Sequence, residues 1–245
     1  MRKPSFIGPL HTRFRRQIRD LAAASVRLGE LGFASSRGGN LSCRAGDGCL
    51  LITPTGFRKK EVRPEDILVV RPDGNTWEAR PGLKPSSEAP AHMHIMRSRP
   101  DVQAIIHAHP PVLTGFALAG VDILSKPIHP ELVIEVGPVI NLDYTEPTSE
   151  KLAHQFDSVM LRANAFLMGG HGVMICSPVG IERALELLEM LETIAFSAWV
   201  AMSVGKPKTI PAAELDALER IMRTRNLTMP GASAGWSLRK LYGTN

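Results

Sequence analysis

The chain has 245 residues, enough to bury a full core as one domain, and its 44% hydrophobic and 22% charged residues are the balance of an ordinary globular protein. The formal charge of +5 is scattered apart from RFRR (13–16) and RKK (58–60), and aromatics are only 5%. With no RNP, zinc-finger or helix-turn-helix signature, no nucleic-acid partner is expected, and a small phosphorylated metabolite suits the charge instead.

Helical spacing of Phe14, Ile18, Leu21, Ala22 and Leu28 predicts a helix from Thr12 to Leu31, stopped by Gly32. NLSCR and CLLIT flank AGDG and predict a hairpin, and ILVVRPDGNTWEA repeats the pattern around Asp73-Gly74-Asn75. A helix follows from about Ser87 to Arg97, with Pro90 in its first turn. VQAIIHAH is a strand and PPVLTGFALAG the next helix; ELVIEVG and PVINLD read as short strands, and Thr148–Ala163 as a helix. AFLMGGHGVMICS reads as two strands meeting at a glycine-rich bend, followed by a long helix from Pro178 to Val204 and another over 211–224. Hairpins mixed with strand–helix alternation indicate a single α/β domain over 1–245, with its core at about 12–224 and a tail from 225 to 245.

Cys43, Cys49 and Cys176 are odd in number and lack paired spacing, which points to a reducing compartment. The first 17 residues lack the apolar core of a secretory signal, and no run of about 18 apolar residues occurs. A cytoplasmic protein without membrane contact is expected.

His107 and His109 carry the clearest chemistry. Residues i and i+2 of a strand face the same way, so both imidazoles project from one side of an apolar run. Two neutral imidazoles can converge on one divalent ion, which offsets their desolvation. His171, in MGGHGVM, has glycines that let the backbone bend and leave the ring unshielded, and three histidines with one exchangeable position make a catalytic zinc pattern. Glu88 follows two serines at a helix start, where an anion is favoured; it can be ligand, base, or both in turn. His92 shares that helix face and can line the site, whereas His94 points elsewhere. His11, His129 and His154 read as ordinary structural or surface histidines.

GGNLS, TPTG, KPSSE, HMHIMRSRPDVQAIIHAHP and GGHGVMIC, in this order, resemble the class II aldolase/adducin-head family, the group of fuculose-1-phosphate aldolase and ribulose-5-phosphate 4-epimerase. The resemblance implies a three-layer α/β/α fold around a central mixed, largely antiparallel sheet. It implies His107, His109 and His171 as ligands of Zn2+, or of Mn2+ or Co2+, with Glu88 as acid/base and fourth ligand. Asn40, Thr55, Gly56, Ser86 and Ser87 match positions that hold a substrate phosphate, and a homotetramer with sites at subunit interfaces is implied. The family's tyrosine after a histidine is missing, since Pro130 follows His129, so Tyr242 and Tyr144 are the remaining phenols.

The expected activity is zinc-dependent cleavage of a ketose 1-phosphate to dihydroxyacetone phosphate and an aldehyde. The missing tyrosine suits a 5-deoxy or 5-methylthio pentulose 1-phosphate as well as fuculose 1-phosphate. Alternatives on the same fold are a sugar-phosphate 4-epimerase, a methylthioribulose-1-phosphate dehydratase and a sugar-acid phosphate decarboxylase. A non-enzymatic adducin-like module would lack the metal histidines, which this chain keeps.

Overall fold

Gly8, with no Cβ, lets the chain pass close against a carboxylate: a Cβ there would come within 2.2 Å of the Glu78 side chain. The computed structural model describes residues 8–231 and 235–244. Helices α1 (Pro9–Arg13) and α2 (Arg15–Glu30) precede β1 (Asn40–Arg44), β2 (Leu50–Ile52), β3 (Leu68–Val70) and β4 (Trp77–Glu78). Then come α3 (Ala89–Ser98), β5 (Ala104–Ala108), α4 (Pro111–Ala119), β6 (Val139–Leu142), α5 (Glu150–His154), β7 (Ala165–Met168) and β8 (Gly172–Ser177). Three helices close the chain: α6 (Ile181–Val204), α7 (Ala212–Thr224) and α8 (Leu238–Tyr242).

The strands form an eight-stranded sheet in the order β4-β3-β2-β1-β5-β8-β7-β6. It is mixed and largely antiparallel, with β6 and β7 a parallel pair, as the α/β/α architecture implied by the sequence requires. Two compact units are described separately below.

The first unit takes in the chain up to His109 together with Glu146–His154 and Cys176–Leu185. β1 pairs with β2 so that Ser42 faces Ile52, and on its other side with β5 so that Asn40 faces His107. Leu41, Leu51, Ile52, Leu68, Val69, Ile105 and Ile106 are fully buried and make the core. Ile18, Leu21 and Leu28 of α2 are buried at helical spacing. α2 ends as expected at Gly32, whose N–H bonds the Gly29 carbonyl while Phe33 bonds that of Leu28; a left-handed φ of 73° favours glycine there. Asp73 accepts from the Thr76 hydroxyl and from the N–H groups of Asn75 and Thr76, which fixes the β3–β4 turn.

At the outer end of this sheet, Glu78 accepts the backbone N–H of Leu10 at 3.3 Å and of His11 at 2.9 Å. His11 Nδ1 lies 3.3 Å from the same carboxylate, and its Nε2 lies 2.7 Å from the Ile67 carbonyl. Arg44 closes the other end of α3, donating to the carbonyls of Met96, Arg99 and Val102.

The second unit holds Pro110–Thr145, Gln155–Ile175 and the chain from Glu186 onward. β7 pairs with β8, Phe166 facing Met174. Glu192 of α6 accepts the N–H groups of Val112 and Leu113 at 2.8 and 2.9 Å and so caps the start of α4. Val133, Ile134, Leu215, Met222, Leu238 and Leu241 form one buried cluster.

Three local expectations change. Helix 12–31 is broken at Phe14 into α1 and α2. ELVIEVG is a π-helical turn over Leu132–Val136 rather than a strand, because burying Leu132, Val133, Ile134 and Val136 together needs more than one face. The helix expected over 148–163 is confined to Glu150–His154; Thr148 sits at φ 67°, outside helical space, and turns follow His154. α8 carries no sequence expectation; Ser237 caps it by accepting from the Lys240 N–H. The three cysteines are buried free thiols, as their spacing predicts, and burial pushes Cys43 and Cys176 up to about 12.

Among the described residues, α6 is long and apolar enough to cross a membrane by length and composition, which the absence of an uninterrupted apolar run does not anticipate. Its first half carries five charged residues, Glu182, Arg183, Glu186, Glu189 and Glu192, and buries Leu187, Leu188 and Leu191, whereas only 33% of the apolar window is buried.

Arg44→Met removes three charge-assisted bonds from part-buried carbonyls. The expected loss is about 2–3 kcal/mol of stability, read as a lower urea midpoint at unchanged m-value.

Candidate metal centre

The paired histidines leave β5 together. His107 is 1% exposed and His109 half-buried, and their Nε2 atoms lie 3.0 Å apart. Two ligands bonded to one tetrahedral zinc sit about 3.3 Å apart, so the spacing fits a shared ion. Ser35 Oγ lies 2.9 Å from His109 Nδ1 and fixes that ring. The glycines before Asn40 are there because nothing larger fits: a Cβ on Gly38 would come within 2.8 Å of the His109 ring, and one on Gly39 within 2.8 Å of the His107 carbonyl.

Glu88 ends a loop that is held at several points. Pro54 and Pro85 form an isolated antiparallel bridge, Thr55 N–H donates to the Lys84 carbonyl, and Ser86 N–H to that of Thr53. Glu88 N–H then donates to Ser86 Oγ at 3.3 Å, and Pro90 sits in the first turn of α3. The buried Glu88 carboxylate lies 3.6 Å from His107 Nε2 and accepts from Asn40 Nδ2 at 2.8 Å. Asn40 reaches it because it stands opposite His107 in the β1–β5 register. Asn40 Oδ1 is buried without a hydrogen-bond partner among the described residues.

Beneath this group, His92 is fully buried with Nδ1 2.7 Å from Ser42 Oγ. Burial pushes it down to about 4; Glu88 opposes that shift and His107 adds to it, so the ring is neutral at pH 7.

His171 stands on the turn between β7 and β8, its N–H bonded to the Met168 carbonyl at 2.9 Å. His171 belongs to the second unit and keeps the turn position that its glycine-flanked sequence predicts. On the same turn, a Cβ on Gly169 would come within 2.9 Å of the Tyr144 nitrogen, and one on Gly170 within 3.4 Å of its ring. Tyr144 itself is exposed, whereas the Tyr242 hydroxyl is buried without a partner among the described residues and its ring packs on the apolar cluster of the second unit. Burial raises the Tyr242 phenol well above its ordinary value.

Ser86 is buried, and Thr55, Gly56 and Ser87 are exposed beside it. Ser35 and Ser42 escaped sequence reasoning, although Ser42 shares the strand face of Asn40 by simple alternation. Lys59 escaped it too. It is 2% exposed, and Nζ donates to the carbonyls of Arg37 and Phe57, tying the loop before Gly38 to the loop after Gly56.

A family model for the class II aldolase and adducin N-terminal domain matches residues 19–199. The chain belongs to this family. It is 34% identical over 197 residues to 5-methylthioribulose-1-phosphate/5-deoxyribulose-1-phosphate aldolase of Rhodospirillum rubrum, spanning 80% of this chain and 86% of that protein. It is also 34% identical over 180 residues to 3-oxo-tetronate 4-phosphate decarboxylase of Pectobacterium atrosepticum, spanning 71% and 81% of the two. Among solved structures, an L-fuculose 1-phosphate aldolase is similar at a TM-score of 0.76 and 26% identity, over 84% of this chain and 96% of that one.

Burial lowers the Lys59 ammonium from 10.5 to about 8. Between those values the unfolded chain binds more protons than the folded one, so folding stability should rise as pH increases from about 8 to 10.5. Urea melts of wild type and Lys59→Met across that window check this: the rise should be smaller in the variant.

Proposed function

We propose that the protein is a metal-dependent lyase that cleaves a ketose 1-phosphate to dihydroxyacetone phosphate and an aldehyde. The observation that carries this is the 3.0 Å approach of His107 Nε2 and His109 Nε2, with the Glu88 carboxylate 3.6 Å from the first. His107, His109 and His171 would hold the ion, with Glu88 as the exchangeable fourth ligand. When bound, a divalent cation of the zinc kind would supply Lewis-acid chemistry, drawing electron density from a substrate carbonyl oxygen and offsetting the negative charge that C3–C4 cleavage leaves.

The chain's own residues do the rest. Glu88 protonates C3 in cleavage and removes that proton in condensation. Asn40 donates to Glu88 and leaves its oxygen for a donor, so it positions the base besides lining the pocket. Thr55, Ser86 and Ser87 would hold the phosphate with their hydroxyls, and Gly56 and Ser87 with their backbone N–H groups. Tyr144, exposed beside the turn that bears His171, would hold the departing aldehyde oxygen, while Tyr242 packs on the apolar cluster of the second unit. His92 acts as a neutral wall under the base.

What supports a pentulose phosphate with a 5-deoxy or 5-methylthio end is the likeness to the Rhodospirillum rubrum aldolase. The decarboxylase relative supports a second reading on a sugar-acid phosphate. Both reactions break a carbon–carbon bond and leave a comparable enolate. The proposal includes a cytoplasmic homotetramer, and Phe196, Trp199, Val200 and Val204, exposed at helical spacing on α6, supply an apolar stripe for contact between copies.

Two measurements check the reading. Replacing both His107 and His109 by alanine should remove the tightly held ion, measured by elemental analysis after dialysis. Zinc-replete Glu88→Gln should keep that ion and exchange the C3 proton of dihydroxyacetone phosphate at least about 100-fold more slowly than wild type, because an amide cannot take the proton. Exchange at the wild-type rate would remove Glu88 from the mechanism. Turnover of 3-oxo-tetronate 4-phosphate without cleavage of any ketose 1-phosphate would favour the decarboxylase.

A further inference from the structure

We propose that Lys59 is a positioning residue that sets the phosphate-holding loop at a fixed place relative to the His107–His109 pair, an inference that rests on the reading that Thr55 and Gly56 hold a substrate phosphate. Every residue concerned lies in the first unit. The Lys59 ammonium is 2% exposed and donates to the Arg37 carbonyl at 3.1 Å and to that of Phe57 at 3.0 Å. Arg37 leads directly into Gly38 and Gly39, which pass against the His109 ring and the His107 carbonyl, and then into Asn40, which donates to Glu88. Phe57 directly follows Thr55 and Gly56. One nitrogen therefore joins the loop that shapes the metal side of the pocket to the loop that would shape its phosphate side.

That nitrogen is held from behind. Lys59 opens a single 3-10 turn, Lys59–Glu61, and its carbonyl accepts from the buried Ser25 hydroxyl of α2 at 3.1 Å. Four residues on, Gly29 brings α2 so close that a Cβ there would come within 2.6 Å of the Lys60 nitrogen. The tie is thus anchored on a core helix, and a shift of either loop breaks a bond to it. Burying an ammonium is unfavourable, and burial pulls Lys59 down to about 8 with no carboxylate among the described residues to offset it. Methionine, of similar length, would fill the space without that cost, so stability does not account for lysine here. Two carbonyls on separate loops do, because an ammonium offers several N–H donors at one point. In a ketose 1-phosphate the phosphate ester sits on the carbon next to the carbonyl, so the spacing between phosphate loop and metal decides whether that carbonyl reaches the ion. Misplacement by about 1 Å can lower a rate about 100-fold.

The test compares proton exchange of dihydroxyacetone phosphate with that of dihydroxyacetone in zinc-loaded wild type and Lys59→Met of equal metal content. Dihydroxyacetone lacks the phosphate, so its exchange reports the metal and Glu88 without the phosphate loop. Lys59→Met should lower kcat/KM for the phosphate ester at least about tenfold and leave that for dihydroxyacetone within about twofold. A merely structural role would lower both in parallel with the folded fraction, and an equal fall, or none, would overturn the proposal. Titration calorimetry with glycerol 3-phosphate needs no turnover and should show binding at least about tenfold weaker in the variant. Unchanged affinity in the variant, or no binding to wild type, would likewise overturn it. Binding that depends on Lys59 in a wild-type protein that exchanges no proton of dihydroxyacetone phosphate would uphold the positioning role and overturn the lyase reading alone. If Lys59→Met fails to fold, Lys59→Gln, one atom shorter and uncharged, is read by the same ratio and the same titration.

Discussion

Two imidazole nitrogens held 3.0 Å apart cannot both point bare lone pairs at each other. A proton or a cation must lie between them, and the surrounding chain is arranged to keep that problem in place. His109 cannot swing away, because Ser35 engages its other nitrogen and Gly38 passes against its ring. His107 sits in the middle of the sheet opposite Asn40, with Gly39 against its carbonyl. The pair is therefore preorganised by backbone approach, and a divalent ion is the natural resolution of the repulsion.

Glu88 shows the same economy. It stands at the N-terminal end of α3, where the helix favours negative charge, and Asn40 supplies one hydrogen bond to the charged form. The neighbouring histidine below is held neutral by burial. A base that must leave a metal and take a proton needs support that is real but incomplete, and one amide donor at the edge of a helix is a modest hold. Arg44 fastens the far end of α3, so the helix that carries the base is anchored at both ends.

Much of this was legible in the sequence because it follows short periods. The i, i+2 spacing of His107 and His109, the hairpins around Asp47-Gly48 and Asp73-Gly74, and the stop at Gly32 are local signals that the structure repeats. What was illegible depends on neighbours distant in the chain. Nothing near Leu132–Val136 announces that all its apolar residues are buried together, so a β-branched run reads as a strand. The reason for Gly38 and Gly39 lies about 70 residues away at His107 and His109, and Lys59 looks like one more surface cation until its two carbonyl partners come into view. His94 and His154 each read as unremarkable alone; only the packing of two helices joins them.

β4 ends the sheet order and is only two residues long. A sheet margin of this kind is a template on which another chain can pair, and proteins blunt it with short strands, charge and covering segments. Here Glu78 does so by engaging the start of α1, and Gly8 makes the close approach feasible. Loss of α1 would leave the candidate metal centre untouched in composition, yet it would uncover backbone suited to adding strands from neighbouring molecules. The N-terminal helix thus bears on colloidal behaviour, and the harm from its removal would grow with protein concentration.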